Sequence, residues 1–263
     1  MTPTRIALAV GLAGLAAVAL IYWFVLAPGG AGGDVPSQVR SRQDVEQIVR
    51  NYLLENPEVI FEAARRMEQK EKDQRQARMA EGATKHAADL FNRADAIVVG
   101  NPNGDVTIVE FFDYRCGPCR RLMPELAQLV KLDGNIRLIM KEFPILSRES
   151  ELAARAALAA NKQGKYWDFH LAMMKAEEVT PESVMATARG VGVDMARLNT
   201  DMASPQVADV IARNHELAEK LGVDATPTFY IGDTPHSGAM PLSELKLAVA
   251  EARKKAAGGK ASR

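Results

Sequence analysis

The two cysteines of this 263-residue chain stand together as Cys116-Gly117-Pro118-Cys119, between the apolar run from Val106 to Phe112 and a helical pattern that begins near Arg120. At a strand-to-helix junction the first sulfur falls at a helix N-terminus, where free backbone N–H groups and the helix dipole favour thiolate over thiol. Cys116 therefore reads as the attacking nucleophile. Cys119, one turn further in, is less exposed and can close back on a mixed disulfide to release a partner. A zinc site would need further ligands, and His86, His170, His215 and His236 are scattered, none at ligand spacing. A structural staple across one helical turn closes too small a loop to restrain the unfolded chain. The pair reads as a redox centre with no metal, and no cofactor beyond its own disulfide.

Composition bounds the remainder. With 47% hydrophobic and 25% charged residues the chain can bury one good core plus a smaller element. Its formal net charge is zero, which gives no footprint for nucleic acid or any other strongly charged partner.

The uninterrupted apolar stretch from Ile6 to Ala27 ends in Tyr22-Trp23-Phe24, and it is long enough to span a bilayer with an aromatic belt at its outer end. Arg5 precedes it, which implies an N-terminus held inside and export of the rest. Ala31 and Gly33 offer a cleavage site before Asp34, but the run exceeds the ~7 to 15 residues of a signal-peptide core, so an uncleaved anchor is the expectation and cleavage the alternative. Either way the cysteines work in an oxidising, extracytoplasmic space.

After a Gly/Pro-rich hinge, Pro28 to Pro36, the pattern turns helical. Ser41 with Asp44 resembles a capping box, and Val45, Ile48, Val49, Tyr52 and Leu53 follow at helical spacing. Asn56-Pro57 should end that helix and start another running toward Asn92, with Asn56 as N-cap. Val59, Ile60, Ala63, Ala64 and Met67 make an apolar stripe, whereas Glu68 to Arg78 is polar on every face, with Glu68–Lys72 and Glu71–Arg75 at ion-pair spacing. This segment reads as a solvated spacer. Two short helices make a poor core, so their stripe implies self-association, with folding back onto the catalytic domain as the alternative.

From about Asp95 the order changes. Ile97 to Val99 reads as a strand, Asn101 to Asp105 as a turn, Val106 to Phe112 and Asn135 to Phe143 as buried strands, and Ser147 to Leu221 as almost wholly helical. Thr226 to Ile231 is a strand entered through Pro227, Asp233-Thr234 a hairpin and Leu242 to Lys255 a last helix. Strand, helix, strand, helical block, hairpin and helix make an α/β order.

These residues carry a resemblance. Glu110-Phe111-Phe112 leading to Cys116-Gly117-Pro118-Cys119, Pro124, Lys141-Glu142-Phe143-Pro144, Gly164 to His170 and Thr226-Pro227-Thr228 resemble the DsbA family, a thioredoxin fold with an α-helical insertion. The helices before them resemble the N-terminal segment of trimeric ScsC-like disulfide isomerases. The implied organisation is a signal or anchor segment over 1–33, an oligomerisation segment and spacer helix over 34–93, a catalytic domain over 94–256 with its insertion at about 147–222, and a basic tail over 257–263.

The resemblance implies roles. Glu110 corresponds to a buried acid beneath the active site; a carboxyl in an apolar strand has a raised pKa and can relay the proton of Cys119. Lys141 is either its counter-charge or a solvent-facing lysine. Thr226-Pro227 resembles the cis-proline pair that faces the cysteines and presents residue 226 to a substrate strand. Pro124, His170 and His236 are assigned to structure.

The implied activity is thiol–disulfide exchange on unfolded or wrongly bridged exported proteins, in a homo-oligomer, with a trimer favoured, built through residues 41–67. A membrane partner would supply electrons, and the location would be the periplasm, with residues 6–27 in the inner membrane. Gly117-Pro118 lacks the histidine of the most oxidising members, which favours isomerase or reductase over oxidase. A dedicated electron-transfer role and a non-enzymatic holdase remain the other classes.

Overall fold

The computed structural model describes residues 41–261, so the apolar stretch 6–27, the hinge and the cleavage positions lie outside the described residues. Among the described residues no helix is long and apolar enough to cross a membrane. The chain divides at Met67 and Glu68 into two compact units.

The first unit contains α1 (Arg42–Glu55) and the start of α2 (Glu58–Lys85). Ser41 caps α1 as expected: its hydroxyl accepts from Asp44 N–H at 3.2 Å, and the Asp44 carboxylate accepts from Ser41 N–H at 3.0 Å. Asn56 behaves differently from the expectation. Its backbone N–H and its side-chain amide both donate to the Tyr52 carbonyl, so it closes α1 and does not cap α2. Val45, Ile48, Val49, Tyr52, Ile60, Phe61 and Met67 all remain exposed.

The second unit begins within α2, continues through α3 (Ala87–Phe91), and holds a five-stranded sheet. Its elements are β1 (Ile97–Gly100), β2 (Val106–Phe112), α4 (Gly117–Asp133) and β3 (Ile136–Glu142). A block of helices follows: α5 (Arg148–Asn161), α6 (Tyr166–Lys175), α7 (Pro181–Gly190), α8 (Met195–Met202) and α9 (Pro205–Leu221). The hairpin β4 (Thr228–Ile231) and β5 (Thr234–Ser237) and the helix α10 (Leu242–Ala261) complete it. The sheet order is β1-β3-β2-β4-β5, with β2 and β3 parallel and every other neighbour antiparallel. The last helix runs past the expected start of a tail at residue 257, because Ala256 and Ala257 are strong helix formers and Lys254 and Lys255 suit a helix C-terminal half.

Alternation along β2 and β3 sends side chains to two separate cores. Ile108, Phe112, Leu138 and Met140 pack with α4, α10 and the helical block. Val109, Phe111, Ile139 and Tyr230 pack with Met79 and Ala83 of α2, Leu90 of α3 and Leu217, Ala218 and Leu221 of α9.

Two expectations about α2 are corrected here. The run toward Asn92 breaks at His86, which turns α3 so that Leu90 enters the core and the Phe91 carbonyl accepts from Arg137 at 2.8 Å. Nor is the stretch from Glu68 onward only a solvated spacer. Arg75 pairs with Asp224 at 2.9 Å in place of Glu71, and Gln76 donates to the Pro235 carbonyl at 3.3 Å. Gly82 lets the backbones meet: a Cβ there would lie 3.1 Å from both Leu221 Cα and the Lys220 carbonyl oxygen. Replacing Gly82 by Leu is expected to cost about 1–3 kcal/mol through overpacking, read as a lower urea midpoint with an unchanged fold of the sheet.

Candidate active site

Cys116 is the N-cap of α4, with extended backbone at φ −68° and ψ 108°, and Pro118 occupies the first turn, where a missing N–H costs nothing. The cap acceptor is the sulfur itself: Cys119 N–H donates to Cys116 Sγ at 3.2 Å. This places Cys116 Sγ on the positive end of the α4 dipole, an environment that stabilises a thiolate when the bond is reduced. The two cysteines are joined as a disulfide. Cys119 is fully buried, and Cys116 keeps the residual exposure, 3% against 0%.

Thr226-Pro227 is brought against this sulfur. The peptide bond is cis, and the Thr226 carbonyl oxygen lies 3.3 Å from Cys116 Sγ. Gly238 N–H donates to the Pro227 carbonyl at 2.9 Å, which carries the hairpin pairing up to the proline.

Glu110 sits in the middle of β2, opposite Met140 on β3 and Phe229 on β4. It is fully buried, on the sheet face that packs α4 and the cysteines, and neither carboxyl oxygen has a hydrogen-bond partner among the described residues. Burial alone pushes its pKa up to about 8.

Lys141 is not its counter-charge. Pairing sets Lys141 opposite Phe111, so its side chain leaves the sheet on the other face, where the ammonium donates to the Asp89 carbonyl at 3.0 Å. It does not face solvent either, being 3% exposed, and burial lowers its pKa to about 8. The period-2 rule applied across β2 and β3 separates the two residues.

Asp113 and Tyr114 form part of the surroundings and were not singled out from sequence, and Glu142 entered only as part of the matched Lys141-Glu142-Phe143-Pro144 run. Asp113, one residue beyond β2, ties the active-site turn to the next loop: Oδ1 accepts from Arg115 N–H at 2.7 Å and from the Ser150 hydroxyl at 2.7 Å, and Oδ2 from Ile145 and Leu146 N–H at 2.9 and 3.0 Å. This clamp presents the exposed side chains of Ile145 and Leu146 beside the turn that carries Cys116. Glu142, buried at the end of β3, accepts at Oε1 from the Tyr166 hydroxyl at 2.8 Å and from the Tyr114 hydroxyl at 3.2 Å. The signal was Asp113-Tyr114 directly after an apolar strand, a place where a short acid commonly caps a turn.

A model described as thioredoxin matches residues 92–251, more than half of the chain. The chain belongs to the thioredoxin family. Within this family its kin are thiol–disulfide oxidoreductases of the DsbA and ScsC type, and residues 42–74 match a model described as the copper resistance protein ScsC N-terminal domain.

Solved structures agree with this placement of the thioredoxin-family chain. A thioredoxin-like oxidoreductase from Silicibacter pomeroyi DSS-3 is 48% identical with a TM-score of 0.62, covering 64% of this chain and 97% of that one. The thiol-disulfide exchange protein alpha-DsbA2 from Wolbachia pipientis is 31% identical with a TM-score of 0.63, covering 67% and 97%. Proteus mirabilis ScsC in a compact conformation is 26% identical with a TM-score of 0.61, covering 81% and 99%. Among curated relatives, Na(+)/H(+) antiporter NhaA 3 of Salinispora tropica is 29% identical over 196 residues, and the chain spans 30% of its length against 71% of its own.

The buried Glu110 has a consequence for stability. Its carboxyl is raised from 4.5 in the unfolded chain to about 8 in the fold, so between those values the folded state binds more protons and stability falls as pH rises. Glu110→Gln should therefore gain stability over the parent across that window, with a slope of at most about 1.4 kcal/mol per pH unit, measured by chemical denaturation at a series of pH values.

Proposed function

We propose that the protein is an extracytoplasmic thiol–disulfide oxidoreductase acting on cysteines of exported proteins, working chiefly as an isomerase or reductase through Cys116 and Cys119. The observation that carries this reading is the placement of Cys116 Sγ at the α4 N-terminus, against the Thr226 carbonyl and in front of a buried Glu110 whose pKa burial raises.

In the reduced enzyme the Cys116 thiolate attacks one sulfur of a substrate disulfide. A Cys116–substrate bond forms, the substrate bond breaks, and its electron pair leaves on the other substrate sulfur. A second substrate thiolate then attacks the mixed disulfide, restoring Cys116 and leaving a rearranged substrate. When none arrives, Cys119 gives its proton to the Glu110 carboxylate and attacks Cys116 Sγ, releasing reduced substrate and closing the Cys116–Cys119 bond. A protein dithiol, the membrane redox partner, must then reduce that bond. Read backwards, the same steps oxidise a substrate: its thiolate attacks Cys116, the pair lands on Cys119, and Glu110 returns the proton.

Thr226 offers its backbone to an extended substrate, and Ile145 and Leu146 offer apolar contact, which suits unfolded chains in place of one fixed partner. Gly117-Pro118 carries no cation against the thiolate, which favours the less oxidising direction. The exposed apolar residues of α1 and early α2, in a segment resembling the ScsC N-terminal domain, support self-association through residues 41–67, with a trimer as the favoured form. A signal or anchor at 6–27 and a periplasmic location complete the reading.

Cys116→Ser should abolish recovery of a scrambled disulfide protein, and Cys119→Ser should accumulate mixed disulfides on non-reducing gels; full activity in Cys116→Ser sinks the enzymatic reading. A reduction potential of about −180 mV or lower with recovery of the scrambled protein supports the isomerase, whereas about −120 mV with oxidation alone makes it an oxidase. Ile48→Asp with Tyr52→Asp should convert the oligomer to monomer in sedimentation equilibrium, and an unchanged mass removes residues 41–67 as the interface.

A further inference from the structure

Two carboxyl groups are buried on one face of the sheet. Glu110 pairs with Met140 and Glu142 with Phe112 in the parallel β2–β3 register, so the two acids are diagonal neighbours pointing the same way. Neither has a basic side chain bonded to it among the described residues, and Lys141 leaves by the opposite face. Their hydrogen bonding differs: Glu110 has no partner, whereas Glu142 Oε1 meets two phenol hydroxyls.

His170 decides the direction of those bonds. Its ring is buried, stacked 5.3 Å from Trp167 with planes 7° apart, and Nδ1 lies 3.1 Å from the Tyr114 hydroxyl. Its Nε2 is buried with no partner among the described residues. A proton on Nε2 would be a donor sealed away without an acceptor, so the proton belongs on Nδ1, and burial keeps the ring neutral by lowering its pKa to about 3. Nδ1–H then donates to the Tyr114 oxygen, and Tyr114 has its own proton free for Glu142. Tyr166 has its hydroxyl committed to the same oxygen. Glu142 is thus served by two O–H donors, the pattern that stabilises a carboxylate.

We infer that Glu142 is a positioning residue for the cysteine chemistry: it carries the negative charge of the buried Glu110–Glu142 pair and so holds the exchangeable proton on Glu110. Burial pushes both carboxyls up, but only Glu142 has hydroxyls opposing that push. As diagonal neighbours on one dry face of the sheet the two carboxyls do not ionise independently, so the charge settles where the donors are. The groups facing Glu142 are Glu110 from β2, Asp113 and Tyr114 from the turn before α4, and Tyr166 and His170 from α6; α9 contributes only the Asn214 amide, bonded at 3.0 Å to the Glu142 backbone carbonyl. Asp113 is occupied by its own four donors. The helical block therefore tunes, through α6, the proton that Cys119 takes up and returns.

This inference rests on the proton-relay reading of Glu110, and the experiment separates the two. The full chain is charged as a Cys116–glutathione mixed disulfide, and the rate at which Cys119 releases glutathione is followed from about pH 5 to about pH 9. The parent rate should rise through a step as Glu110 titrates. In Glu142→Gln, which keeps an acceptor for both phenols and loses the charge, the step midpoint should fall by about one pH unit or more, with plateau rates within about twofold. Tyr166→Phe should move it the same way by less, because a Glu142 with one donor yields charge to Glu110. Glu110→Gln should lose the step. A step that survives Glu110→Gln overturns both readings. Loss of the step there, with an unmoved midpoint in Glu142→Gln, overturns the role of Glu142 alone. Should Glu142→Gln fail to fold, an unmoved midpoint in Tyr166→Phe overturns it equally, since a packing role changes plateau rates and melting temperature without moving the midpoint.

Discussion

The parallel ladder between β2 and β3 is the constraint on which the site depends. A register shift of one residue in β3 would exchange its side chains between the two faces, sending Glu142 toward α2 and Lys141 toward the cysteines while Glu110 stayed in place. As built, one face collects the two acids, Tyr114, Tyr166 and the cysteine sulfurs, and the other collects Lys141 and an apolar core that includes Tyr230. The helix that starts directly after β2 then inherits a fixed position above the acid-bearing face. Its sulfur cap needs no side chain from elsewhere, which is why Gly117 and Pro118 suffice between the cysteines.

Much of this was legible in the chain because it rests on local rules. The cysteine spacing, the apolar run before it and the helical run after it locate the α4 N-terminus, and the capping of α1 by Ser41 follows from two side chains three residues apart. Glu110 was placed in the core by the resemblance, with its apolar neighbours Val109, Phe111 and Phe112 in support. Thr226-Pro227 was matched by resemblance, since spacing holds no information on which loop faces a sulfur 110 positions earlier.

What could not be read was non-local. Glu71 and Arg75 stand at a good helical spacing, yet Arg75 is taken by Asp224 from the far end of the chain. Lys141 adjoins Glu142 in sequence, and only the β2–β3 register decides which of them shares a face with Glu110. The Tyr114–Glu142–Tyr166–His170 cluster joins three segments with no shared periodicity, and α10 continues through Gly258 and Gly259, residues whose low helix propensity points the other way.

The burial of Met79, Ala83 and Leu90 against Val109, Phe111 and Tyr230 redraws where the redox fold starts. A fragment cut at the first strand would expose the back of the sheet and the apolar side of α9 to water, an aggregation-prone surface. The long helix α2 thus has two allegiances along its length: its residues up to Met67 lie with the first unit, while its last turns are a wall of the second. Transplanting the catalytic unit onto another carrier would therefore require taking those turns with it.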